Sequence, residues 1–159
     1  MIFLFYLCTD VISFFVDMFD TSHFHPMLVH FPVALTMVGL LLEIVRFFYG
    51  KTDSKLPCGE LLLYFAAVSA IFALLTGFLF TSSLAGKPLE VRNLHLLLAV
   101  FSTVSLALTS LFYLIARFGK QNRKTFHTIG LLFYTLSALL IGATGYMGGN
   151  LVFTYMIGL

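Results

Sequence analysis

Five histidines are the residues of this 159-residue chain best suited to chemistry. Three fall in one short stretch, His23-Phe-His25-Pro26-Met-Leu-Val-His30-Phe31-Pro32; the others are His95, in Asn93-Leu94-His95-Leu96, and His127. They adjoin or enter long apolar runs, where an ionisable group is expensive and usually faces a protein interior. Haem iron takes two axial imidazoles, and four-helix bundles commonly build cofactor sites in their cores. His30 and His95 are the natural ligand pair, with His25 as the substitute. Gly77, Gly142 and Gly145, followed by Gly148 and Gly149, bring backbone without side chains to the same level and leave room for a planar ring. The cofactor this constellation points to is haem b. The plainer reading is that the histidines bond carboxylates such as Asp20 or Glu90, or loop carbonyls, and that the glycines only let helices approach.

Other chemistries are less well served. A structural zinc needs four ligands, and His25 and His30, five residues apart, are rotated by about 140° on a helix, so they do not form an i, i+4 pair. Copper stays open, because imidazole suits it. Hydrolysis has no support, since no Ser, Cys or carboxylate is paired with a histidine by spacing. No CxxC or CxxCH occurs. The chain reads as an electron carrier or accessory subunit rather than a stand-alone enzyme.

Positioning these residues falls to elements that composition defines. The chain is 60% hydrophobic, 16% aromatic and only 10% charged, with a mean hydropathy of +1.01. A soluble domain carries roughly 25% charged residues, so most of this surface faces lipid. A net charge of +2 excludes a nucleic-acid binder. A span needs about 20 apolar residues, and residues 27–49, 61–81, 94–116 and 126–147 qualify. The joints between them are short, so consecutive spans run antiparallel. The expected fold is all-α, an up-and-down four-helix membrane bundle over residues 24–159.

Basic residues are excluded from translocated loops. Arg46, Lys51, Lys55, Arg117, Lys120, Arg123 and Lys124 fall on one side, which is therefore cytoplasmic, whereas the opposite joint has Lys87 and Arg92. Both termini are then expected on the periplasmic side. Residues 1–20 lack the basic start of a signal peptide. Asp10, Ser13, Asp17 and Asp20 share one helical face opposite Phe, Leu, Ile and Val, as in an amphipathic helix lying on the outer surface. Cys8 and Cys58 would be separated by the bilayer, so no disulfide is expected between them.

The segment His25-Pro-x-x-Val-His30-Phe-Pro32 resembles the opening motif of the family catalogued as domain of unknown function 2231, small bacterial four-span membrane proteins. Thr76-Gly77, His95 and Gly145-Tyr-Met-Gly148-Gly149-Asn-Leu151-Val152 fit as well. The chain departs from the family pattern at its tail, where Thr154-Tyr155-Met-Ile-Gly158 stands in place of a histidine before a glycine. The resemblance implies a bacterial inner-membrane location and a redox setting, because relatives occur beside electron-transfer modules.

Two functions follow as expectations. One is a b-type haem protein with His30 and His95 as ligands, passing electrons between a membrane carrier such as a quinone and a periplasmic partner. The alternative is a cofactor-free accessory subunit of a larger respiratory or photosynthetic complex, its nineteen Phe residues facing neighbouring spans. Glu43 and Arg46 read as an intrahelical pair snorkelling toward the interface. His127, beside Arg123 and Lys124, is expected outside the ligand site, facing headgroups or a helix neighbour.

Overall fold

Residues 21–49, 57–79, 85–119 and 122–156 are described by a computed structural model; the proposed amphipathic segment 1–20, with Cys8, lies outside the described residues. They form four α-helices, α1 (Thr21–Tyr49), α2 (Cys58–Leu79), α3 (Lys87–Phe118) and α4 (Arg123–Tyr155), and among the described residues there is no strand. Each is long and apolar enough to cross a membrane. With a 1.5 Å rise per residue, the 22 residues of α2 cover about 33 Å, close to the ~30 Å hydrocarbon layer. The 32 and 33 residues of α3 and α4 cover about 48–50 Å. These two therefore reach past the hydrocarbon.

Local signals set several helix ends. Gly86 takes a positive φ of 69° just before α3, and Pro88 occupies its first turn, where a missing N–H costs nothing. The Arg123 guanidinium donates to the Ala116 carbonyl at 2.9 Å, satisfying an acceptor that the end of α3 leaves unpaired. One expectation at the start of α1 is corrected. The helix begins at Thr21, so Pro26 and Pro32 both lie inside it. His25 is thus a helical residue rather than a cap.

The helices form a ring in which α1 packs on α2 and α4, and α3 packs on the same two. Helices α1 and α3 consequently face each other across the axis. Inward positions advance by alternate steps of three and four residues, as in a coiled-coil seam. On α1 they are Pro32, Thr36, Gly39 and Glu43; on α4 they are Gly130, Tyr134, Ser137, Ile141 and Thr144. Helix α3 contributes Ser102, Ser105, Thr109 and Tyr113, and α2 contributes Leu63, Ala66, Ala70 and Ala73. Lipid offers helices no hydrophobic reason to associate, so small and hydrogen-bonding side chains hold such a core. Ser105 and Ser137 meet across α3 and α4 at 2.7 Å. The outer faces carry the large apolar groups, among them Phe65, Val68, Phe72 and Leu75 along α2.

The closest helix approach lies between α1 and α2. A Cβ at Gly39 would run into the Tyr134 hydroxyl and come within 3.2 Å of the Gly59 carbonyl. Only glycine fits there.

Candidate functional site

At one end of the bundle, His25 on α1 and His95 on α3 meet across the axis, their ring centres 6.3 Å apart and their planes at 84°. Each ring is fastened to a neighbouring helix. His25 Nδ1 lies 3.0 Å from Thr76 Oγ1, and that hydroxyl already donates its proton to the Ala73 carbonyl at 2.9 Å. The imidazole must then be the donor. His95 Nδ1 lies 2.9 Å from the Thr144 carbonyl, which can only accept. Both neutral rings therefore carry their proton on Nδ1, and Nε2 keeps its lone pair. Metal-bound histidines show the same division, one nitrogen fixed by the protein and the other on the metal.

Glycines shape the space around the two rings. A Cβ at Gly77 would sit 3.1 Å from His25 Cε1, and one at Gly148 would sit 3.1 Å from His95 Cε1. Gly142 and Gly145 are elsewhere, the first beside Met37 and the second with nothing within 4 Å. His30 is turned away from the pair. Its ring is exposed on the outer surface of α1 and its Nδ1 donates to the Pro26 carbonyl at 2.6 Å. Five residues of helix separate it from His25, and only His25 is in register with the inward positions seven and eleven residues later, Pro32 and Thr36.

The residues present fit a metal held by trans imidazoles. An imidazole nitrogen binds a first-row metal at roughly 2 Å; with the ring centre about 1 Å further out, two trans rings stand about 6 Å apart. The observed 6.3 Å is close to that value. Among the described residues no group of three His, Cys, Asp or Glu side chains could hold a metal, so a closed zinc tetrahedron has no support there.

The opposite end holds a second buried polar cluster, about 27 Å away along α1, from His25 to Glu43. Glu43 is 0% exposed. Its carboxylate accepts from Arg46 at 3.1 Å and from the Tyr113 hydroxyl at 3.2 Å, and His127 Nε2 stands 3.3 Å away. The Arg46 pair forms, but the carboxylate turns to the axis rather than snorkelling outward. Beside it, Glu60 accepts from Arg117 Nε at 2.8 Å and from the Tyr64 hydroxyl at 2.7 Å, joining α2 to α3. His127 faces a helix neighbour, and that neighbour is a carboxylate. Sequence reasoning missed this cluster because Glu43 and Arg46 were read as a local pair. The overlooked signal was that Glu43 continues the Pro32, Thr36, Gly39 series.

Four long apolar helices around a polar seam, with paired imidazoles at one end, define a multi-pass membrane protein built as a helical bundle. The chain belongs to the family described as "Predicted membrane protein (DUF2231)", whose model matches residues 21–159. Comparisons with curated proteins and with solved structures gave no match.

Proposed function

We propose that this chain is a b-type haem electron-transfer subunit of an inner membrane, with His25 and His95 as the axial ligands. The observation that carries the reading is the facing pair of imidazoles with both Nδ1 atoms anchored and both Nε2 lone pairs retained. It keeps His95 from the ligand pair that the sequence suggests and takes His25 in place of His30. Haem bound there would supply reversible one-electron chemistry at iron. The chain's own residues do the rest. Thr76 and the Thr144 carbonyl fix the tautomer and the direction of each ring, and the apolar outer faces keep water from the pair. The partners this implies are a quinone or similar membrane carrier and a periplasmic acceptor.

The test is the optical spectrum and iron content of protein purified from its native membrane. A Soret band with stoichiometric iron is the expected result. A colourless, iron-free preparation would leave the second reading, a cofactor-free subunit of a larger complex, which the row of exposed Phe65, Phe72 and Phe78 on α2 favours. In that case the protein should co-migrate with a larger assembly in mild detergent.

The proposed orientation puts the basic end in the cytoplasm and the histidine pair toward the periplasm. Cys58 is exposed at the start of α2, at the basic end. In a Cys8→Ser variant, an impermeant maleimide should label Cys58 only after the cytoplasmic face is opened. Labelling of intact spheroplasts would reverse the topology.

A further inference from the structure

We propose that the hydroxyl-lined seam joining the two buried clusters is a proton path running from Glu43 and His127 to His25 and His95. The inference goes beyond haem binding and stands whether or not a cofactor is present.

The two ends consist of groups that exchange protons. Glu43 is faced by Arg46 from its own helix, by Tyr113 from α3 and by His127 from α4; the nearby Glu60 on α2 is engaged by Arg117 and Tyr64. The other end has the two imidazoles. An ionisable group fully buried within a span is costly, and such groups commonly mark ion or proton pathways.

Between the ends the axis is lined by hydroxyls where a membrane core could have been aliphatic. Ser105 contacts Ser137 at 2.7 Å and Thr109 contacts Ser137 at 3.3 Å, a three-membered group bridging α3 and α4. Along α3, Tyr113, Thr109, Ser105 and Ser102 follow one another at rises of about 4–6 Å. The widest interval is the one heptad from Ser102 to His95, about 10 Å. On α2 the seam residues leading toward that end are Ala70 and Ala73, whose small side chains leave the most room.

Thr36 supplies the second observation. Its side chain is fully buried and its hydroxyl has no hydrogen-bond partner among the described residues. A buried hydroxyl is almost always satisfied, by protein or by water. Where the protein offers no partner, water is the small molecule that can. The unpaired hydroxyl thus marks a place for water in the middle of the seam, where a proton path needs one. Transfer is a relay in which each oxygen or nitrogen accepts a proton on one side and releases its own on the other, so one proton enters, one leaves and no electrons move.

Proton flux into liposomes carrying the purified protein tests this, with trapped pyranine as the reporter and a potassium gradient with valinomycin as the drive. The wild type is expected to acidify the lumen at least tenfold faster than empty liposomes. Thr36→Val, which keeps the shape and removes the hydroxyl, and Glu43→Gln should each abolish most of that excess. Circular dichroism before reconstitution confirms that both variants fold; if Glu43→Gln does not, Thr36→Val decides alone. A wild type no faster than empty liposomes overturns the path, and so does a folded Thr36→Val that conducts normally. Conduction by iron-free protein keeps the path and removes the haem reading.

Discussion

At the histidine end, each of two rings commits one nitrogen to the helix wall and keeps a lone pair on the other, whereas at the basic end two carboxylates have all four oxygens engaged. Glu43 is held by a guanidinium, a phenol and an imidazole, and Glu60 by a guanidinium and a phenol. Completed pairing fixes helices against one another. Incomplete pairing leaves capacity for a ligand. The basic end should therefore govern stability, and the histidine end should govern what the protein binds.

The largest effect is expected from Glu60→Ala, which leaves Arg117 without its carboxylate between α2 and α3. Removing one partner of a buried pair costs about 3–5 kcal/mol, so thermal unfolding in detergent should move down sharply or the protein should fail to assemble. Unchanged unfolding would show that the pair contributes little. Next is Gly39→Ala, whose methyl meets the Tyr134 hydroxyl at the α1–α2 crossing. Overpacking of this kind costs about 1–3 kcal/mol. Gly145→Ala is its control. That position has open space, and alanine is the better helix former by roughly 1 kcal/mol, so this variant should be as stable as the parent or more so.

A smaller change separates the ends directly. His95→Ala removes a single hydrogen bond to Thr144, a loss of about 0.5–1.5 kcal/mol, yet it should abolish metal binding. Unfolding of the metal-free protein tests the first part; a drop as large as that of Glu60→Ala would mean the histidine end is a structural clasp as well. The smallest expected effect is Ser105→Ala, where interhelical hydrogen bonds in membranes average about 0.6 kcal/mol. Its melting shift should be barely measurable.

Hydropathy and loop length made the four helices legible, because lipid leaves the backbone few other solutions. The helix ends were less so, since residues such as Lys87, Glu90 and Arg123 extend α3 and α4 into the interface, where apolarity is no guide. The histidines were legible as a group, but which of His25 and His30 faces the axis depends on rotation of α1. That rotation is written in the spacing of Pro32, Thr36, Gly39 and Glu43, and it selects His25. The same series would have moved Glu43 from the interface to the core. Meeting of diagonal helices is a tertiary fact, so the approach of His25 to His95 and of Tyr113 to Glu43 could not be read from either segment alone.

The account rests most heavily on the inward orientation of His25 and the outward orientation of His30. Its most direct test is the Soret absorbance per polypeptide of His25→Ala and His30→Ala, purified side by side with the parent. The account predicts that His25→Ala loses the band and that His30→Ala keeps it at the parental level. Loss in His30→Ala with retention in His25→Ala would contradict the proposed ligand pair.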